Sequence, residues 1–421
     1  MTDARRRAVA VLVRVLLLPL ALLAGPLALP AVAGAADGRP DVQAPAAIVV
    51  ELSTGDVVLG RRQDQQRGIA STTKLMTALV ALEREPDLSE RFTVPRYAAS
   101  AGESLADLHP GDRMTMRDLL AGMLLPSGND AAEAIAKSVA GSVPAFVGLM
   151  NDRARAMGID ARFRNPVGLD ADGHHASAAD LVKITLLLRR FPAFKEIVDR
   201  RSMTLESATP AITVVNRNRL VQEYPWVDGV KTGHTRASGY ALVGSARRRG
   251  ISVISAVLGD GSEAARDSDS IALLRYATSL YDRVRPLRRL AVAGRLPLRY
   301  RDERVRVVAA STVTRTARKG ERLRNRVVGL PRDVEGPLPR GTRLGTIEVL
   351  QRDRVVARVP AVTATDVAAA TFWERLDDQL QRGWVRFLIG LAVVCLIVLA
   401  VLVGRSRATL RGGRRGGSPT P

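Results

Sequence analysis

The sequence predicts an exported α+β domain, followed by a small all-β module and a single membrane helix near the C-terminus. Three observations carry this. The hydrophobic period is helical through the middle of the chain and changes to two from Trp226, while a second strand-like pair stands near residue 50. Short alternating segments punctuated by Gly320, Pro331, Pro337 and Pro339 fill 286–364. The uncharged apolar run 387–403 is followed by Arg405, Arg407, Arg411, Arg414 and Arg415. At 421 residues the chain is long enough for two folded domains.

Residues 1–36 read as a secretory signal, with Arg5-Arg6-Arg7, an apolar stretch 8–29 and small residues around Ala33-Gly34-Ala35. The net charge of +21 comes mostly from arginine and suits any anionic surface. Membrane-type segments at both ends exclude a nuclear or nucleoid protein, so no nucleic-acid partner is expected. Cys395, the only cysteine, stands inside the second apolar run, which excludes an internal disulfide and a cysteine metal site. No pair of histidines and a carboxylate has metal spacing, and neither metal nor cofactor is expected.

Residues 46–52 and 57–59 flank Ser53-Thr54-Gly55-Asp56 as a hairpin. The run 75–82 reads as a buried helix, with Ser71 at or just inside its N-terminus. A second apolar helix, 117–125, stops at Pro126. Two amphipathic helices cover about 130–157 with a break at 141–144, and 178–188 is a further helix. Segments 227–235, 240–246 and 251–258 are strands whose short connections imply an antiparallel sheet, which the first hairpin would join. A closing helix spans about 262–281, with Ile271, Leu274, Ala277 and Tyr281 on one face. The expected organisation is a signal at 1–36, the first domain at 37–284, the β module at 286–364, an amphipathic stalk at 366–383, a transmembrane anchor at 384–404 and a basic tail at 405–421. The arginines of the tail put it in the cytoplasm and residues 37–383 outside.

Candidate chemistry starts at Ser71-Thr72-Thr73-Lys74. A helix N-terminus offers free N–H groups and a positive dipole end to developing negative charge. Lys74, one turn on, can reach back to the Ser71 hydroxyl, and an amine activates a serine when burial or a neighbouring cation lowers its pKa. Alone the pattern is weak, since serine is a common helix cap. Two further patches, Ser127-Gly128-Asn129 and Lys231-Thr232-Gly233-His234-Thr235, follow in the same exported domain. Their conjunction is specific where each is not.

In this conjunction the chain resembles the D-alanyl-D-alanine carboxypeptidases, the low-molecular-weight penicillin-binding proteins of the serine peptidase type, over about 44–284. The resemblance implies a β-lactamase/DD-peptidase-like fold and removal of the terminal D-alanine from peptidoglycan pentapeptides through an acyl-enzyme on Ser71. It implies Lys74 as base, Ser127 as proton relay and Asn129 as the group that positions Lys74. Lys231, Thr232, Gly233 and Thr235 would bind the substrate, Gly233 by allowing close approach, and the Ser71 and His234 N–H groups would form the oxyanion hole. Lys231 is expected to lower the Lys74 pKa by like-charge repulsion. Asn165 and His174 are expected to be structural. Partners are the D-Ala-D-Ala terminus, β-lactams, which would bind covalently, and the membrane. A DD-endopeptidase acting on cross-links, a β-lactamase and a non-catalytic wall-binding protein remain alternatives.

Overall fold

The structure, a computed structural model, describes residues 38–381 and 383–412. The expected signal segment 1–36 and the end of the basic tail, 413–421, lie outside the described residues. Contacts divide the chain into two units, meeting between Leu280 and Tyr281.

The first unit opens with β1 (Ala46–Glu51) and β2 (Val57–Arg61). A 3₁₀ turn (Ala70–Thr73) leads into α1 (Lys74–Arg84). A short pair, β3 (Arg91–Thr93) and β4 (Arg113–Thr115), brackets a long loop. Then come α2 (Met116–Leu124), α3 (Asn129–Ala140), α4 (Val143–Ala156), α5 (Ala178–Leu188) and α6 (Pro192–Asp199). A second small pair, β5 (Ser202–Leu205) and β6 (Ile212–Val215), and the short α7 (Arg219–Glu223) precede β7 (Val227–Thr235), β8 (Gly239–Arg248) and β9 (Ile251–Asp260). Helix α8 (Glu263–Ser279) closes the unit.

The five long strands form one antiparallel sheet in the order β2-β1-β9-β8-β7, so the first hairpin does join the later strands. Every residue of β1 is buried, as is Val253–Leu258 of β9. Burial of consecutive residues requires cover on both faces, which α5 and α8 provide. Strand β7 lies at the edge with no strand beyond it, and the 3₁₀ turn packs against it. Apolar residues surround α1, whose Leu75, Met76, Leu79 and Leu82 are buried in the main core.

Local signals explain the boundaries. The break at 141–144 arises because Gly141 takes a left-handed conformation (φ +73°) after α3, and Ser142 caps α4 by accepting from Ala145 N. Ser177 and Asp180 form a capping box at the start of α5. Two expectations are corrected. Ser71 lies in a 3₁₀ turn ahead of the helix rather than in its first α-turn. Tyr281 does not end the closing helix but begins β10, so the second unit starts before the expected residue 286.

The second unit contains β10 (Tyr281–Leu287), β11 (Val292–Pro297), β12 (Arg304–Ala309), β13 (Val313–Arg318), β14 (Arg324–Val328), β15 (Arg343–Gln351) and β16 (Arg354–Thr363). One sheet runs β11-β12-β16-β15-β14, and β10 pairs with β13. Its own core includes Leu296, Val305, Val307, Ile347, Val349 and Val359. Glu348, itself largely covered, accepts from the exposed Arg326 and Arg358, a cross-strand row of alternating charge. Helix α9 (Phe372–Gln381) buries no residue, and its Phe372 and Trp373 are exposed. In α10 (Gly383–Gly412), the segment Gly383–Arg405 has a mean hydropathy of 3.2 and is long and apolar enough to cross a membrane.

The β1–β2 turn supplies a test of the fold. The Glu51 carboxylate is 1 % exposed and accepts from the Ser53 and Thr54 N–H groups and both hydroxyls. Glu51→Ala leaves these donors to water and should cost about 1–3 kcal/mol, read as a lower unfolding temperature.

Candidate active site

The turn that carries Ser71 is held from several sides. Ala70 has φ +46°, an unfavourable left-handed conformation for a residue with a Cβ. The Thr72 hydroxyl donates to Ile69 O at 2.6 Å and the Thr73 hydroxyl to Ala70 O at 2.8 Å, fixing the turn from within. His174 braces it from outside, its Nε2 lying 2.8 Å from Thr73 Oγ1. Because His174 Nδ1 accepts from Arg164 N, Nε2 carries the proton and donates to Thr73. Burial pushes the His174 pKa down to about 4, so the ring is neutral near pH 7.

The loop 165–169 lies directly on this turn. Asn165 Oδ1 accepts from the N–H groups of Val167, Gly168 and Leu169, folding the loop on itself. Gly168 has φ +88°, and a Cβ there would stand 2.0 Å from Ala70 O. Glycine is therefore required twice over, for conformation and for space. The folded loop delivers the Val167 carbonyl to Lys74.

Lys74, the first residue of α1, is fully buried. Its Nζ lies 3.0 Å from Ser71 Oγ, 2.6 Å from Asn129 Oδ1 and 2.6 Å from Val167 O. Asn129 reaches it from the first turn of α3. Burial pulls the Lys74 pKa down to about 7; Asp130 and Glu103 oppose the shift and Arg217 adds to it. Removal from water is the largest cause, and the cation that adds to it is Arg217 rather than the expected Lys231. Lys231, also buried, is itself pushed well below the usual range by burial first and by Lys74 second. A nitrogen with two N–H bonds given to Asn129 and Val167 has one corner left, and that corner faces Ser71. When the amine is neutral, this corner is a lone pair aimed at the Ser71 hydroxyl.

A cleft of about 290 Å³ opens in front of these groups, lined by Ser71, Ser127, Thr232, Gly233, His234 and Tyr240 among others. A larger hollow of about 600 Å³ beside Val42 and Leu59 holds none of them. Ser127 has φ +70°, and its buried hydroxyl has no hydrogen-bond partner among the described residues. A strained backbone that aims an unsatisfied hydroxyl at the cleft is costly, and such cost is typical of functional sites.

Strand β7 brings the third motif alongside. Lys231 Nζ donates to Thr232 O at 2.9 Å, and the His234 ring stacks on Tyr240 with centroids 4.0 Å apart. Two details differ from expectation. The Thr235 hydroxyl, expected to hold substrate, donates to Asp170 at 2.8 Å and accepts from Ser238 N. A Cβ at Gly233 would stand 3.0 Å from Ile69 O and 3.1 Å from Ser71 N, so its smallness accommodates the nucleophile turn.

Four contributors were not found in the sequence. Glu103 accepts from Asn129 Nδ2 at 2.7 Å and from the Tyr97 hydroxyl. Arg217 and Arg266 line the cleft; Arg217 donates to Ser104 at 2.6 Å, and Arg266 is paired with Glu263 and Asp267. No local pattern distinguishes these arginines in a chain so rich in them. Among the described residues, no three His, Cys, Asp or Glu side chains gather as a metal site.

Two outcomes follow from this geometry. Acylation of Ser71 by a fluorescent penicillin should be slow at low pH and rise through an inflection near 7, because only neutral Lys74 can take the proton. Gly168→Ala should slow that acylation by about tenfold or more and lower stability by about 1–3 kcal/mol, measured as labelling rate and unfolding temperature.

The comparisons with known proteins agree on one group. A family model described as D-alanyl-D-alanine carboxypeptidase matches residues 33–262. The carboxypeptidase DacF of Bacillus subtilis is 29% identical over 355 residues, covering 82% of this chain and 91% of the relative. DacA of Escherichia coli K12 is 31% identical over 363 residues, covering 82% and 88%. Among solved structures, penicillin binding protein 5 from Haemophilus influenzae has a TM-score of 0.57 at 27% identity, covering 78% of this chain and 98% of that one. The Streptomyces K15 DD-transpeptidase has a TM-score of 0.55 at 30% identity, covering 57% and 99%.

Proposed function

This chain belongs to the D-alanyl-D-alanine carboxypeptidase family and is a serine-type enzyme of that class, and we propose that Ser71 and Lys74 carry its reaction. The substrate is a peptidoglycan stem peptide ending in D-Ala-D-Ala. The observation that carries the reading is a buried amine with a pKa of about 7 held 3.0 Å from Ser71 Oγ.

The extended peptide lies along the free edge of β7, where its backbone can pair as an added strand. Its terminal carboxylate meets the end of the cleft lined by Arg217, Arg266 and Thr232, with Lys231 buried behind and donating to Thr232 O. Neutral Lys74 takes the Ser71 proton as Oγ bonds to the carbonyl carbon of the penultimate residue. The N–H groups of Ser71 and His234 stabilise the resulting oxyanion, each donor being worth about 2.7–4 kcal/mol. The C–N bond then breaks, and Ser127 passes the proton from Lys74 to the departing amine of D-alanine. Water attacks the ester that remains, with Lys74 again accepting a proton, and Ser71 is regenerated. A β-lactam presents a carbonyl and a carboxylate to the same groups and acylates Ser71.

The segment Gly383–Arg405 anchors the protein in the cytoplasmic membrane, with the arginine-rich tail inside and both folded units on the outer face. Export through the signal at 1–36 accounts for that orientation.

The test is D-alanine release from a peptide ending in D-Ala-D-Ala by the full-length protein in detergent. Ser71→Ala should reduce release at least a thousandfold, on the order of what loss of a nucleophile costs other serine peptidases. Release that persists in the variant would overturn the assignment of Ser71.

A further inference from the structure

The long loop between β3 and β4 is fixed where it passes the active site. Asp130, 6 % exposed, accepts from the N–H groups of Ala106 and Leu108. Asn129 N donates to Ser104 O at 2.8 Å, and Arg217 donates to the Ser104 side chain. Residue 103 therefore arrives at a defined place, and that residue is glutamate.

The Glu103 carboxylate accepts three hydrogen bonds. Its Oε2 accepts from Asn129 Nδ2 and from the Tyr97 hydroxyl, and its Oε1 accepts from Ser100 N at 3.0 Å. Burial raises its pKa, but the bonds from Tyr97, Asn129 and Ser100 outweigh this and hold it below the usual range. It is therefore ionised at neutral pH. An ionised carboxylate can only accept hydrogen bonds. The Asn129 amide must then turn its NH₂ toward Glu103 and its carbonyl toward Lys74. Were the amide reversed, NH₂ would face the lysine, which would have to accept from it with the lone pair needed for Ser71.

We propose that Glu103 is a positioning residue that locks the Asn129 amide so that the free corner of Lys74 stays on the Ser71 hydroxyl. This rests on the reading of Lys74 as the base. Four charged groups face Lys74: Asp130 from α3, Glu103 from the loop, Arg217 from the segment before α7, and Lys231 from β7. Two carboxylates oppose burial and the surrounding cations. Removing the Glu103 charge takes away one of them, so Lys74 loses its proton at lower pH. At the same time the amide of Asn129 becomes free to reverse.

The experiment is the pH profile of acylation by a fluorescent penicillin, using full-length protein in detergent. Glu103→Gln should fold with an unchanged unfolding temperature, acylate about tenfold to a hundredfold more slowly at the plateau, and show its inflection at lower pH than the parent. Glu103→Asp keeps the acceptor-only charge and should restore the inflection to its parental position. A Glu103→Gln protein with parental rate and inflection overturns the proposal, as does a slower one whose inflection is unmoved and whose unfolding temperature has dropped. If Glu103→Gln does not fold, Tyr97→Phe decides. It should be several-fold slower at an unmoved inflection and unfolding temperature, and a parental rate overturns the proposal. Lys74→Ala separates the two readings. Acylation that keeps the parental inflection without Lys74 removes the base assignment and this proposal together. Loss of acylation in Lys74→Ala beside a parental Glu103→Gln rejects the role of Glu103 alone.

Discussion

Keeping an amine out of water is the constraint from which the rest of the site follows. Lys74 has no exposed surface, so its proton is disfavoured and its nitrogen becomes a base near neutrality. Burial alone would leave an unsatisfied polar group inside the core. Asn129 and Val167 supply acceptors, and each arrives by a separate route: one on the first turn of α3, the other on a loop that Asn165 folds. The helices around α1 and the loop over the nucleophile turn are thus needed for chemistry as much as for packing.

How much of this was legible in the sequence differs by type of information. The sheet strands and their antiparallel order could be read because apolar alternation and short turns act locally. The closing helix was read two residues too far, because Tyr281 suits a helix face as well as the first position of β10. The motif residues Ser71, Lys74 and Asn129 do meet within hydrogen-bond distance. Glu103 and Arg217 were invisible, since each is brought in by loop anchoring between residues distant in sequence, such as Asp130 on Ala106 and Ser104 on Arg217. That Gly233 also makes room for the turn carrying Ser71 was not legible, because sequence cannot say what stands behind a strand.

The two units solve different problems of composition. The first hides titratable groups: Lys74, Lys231, Asp118, Asp130 and Asp260 are all buried there. The second keeps its arginines at the surface and balances some of them across strands, as at Glu348 between Arg326 and Arg358. Pairs of this kind add little to stability in water, so the fold of this unit rests on its valine- and leucine-lined core. Among the described residues, the arginines of the second unit lie mostly at its surface.

The close approach of Gly168 to the Ala70 carbonyl packs two segments nearly a hundred residues apart against each other with no slack. Such segments cannot drift separately through evolution: a change of backbone path in either must be matched in the other. Directed libraries that randomise the nucleophile turn while holding the loop constant will return mostly inert variants. Exchanging 68–74 and 165–174 together, as a single cassette, preserves that fit.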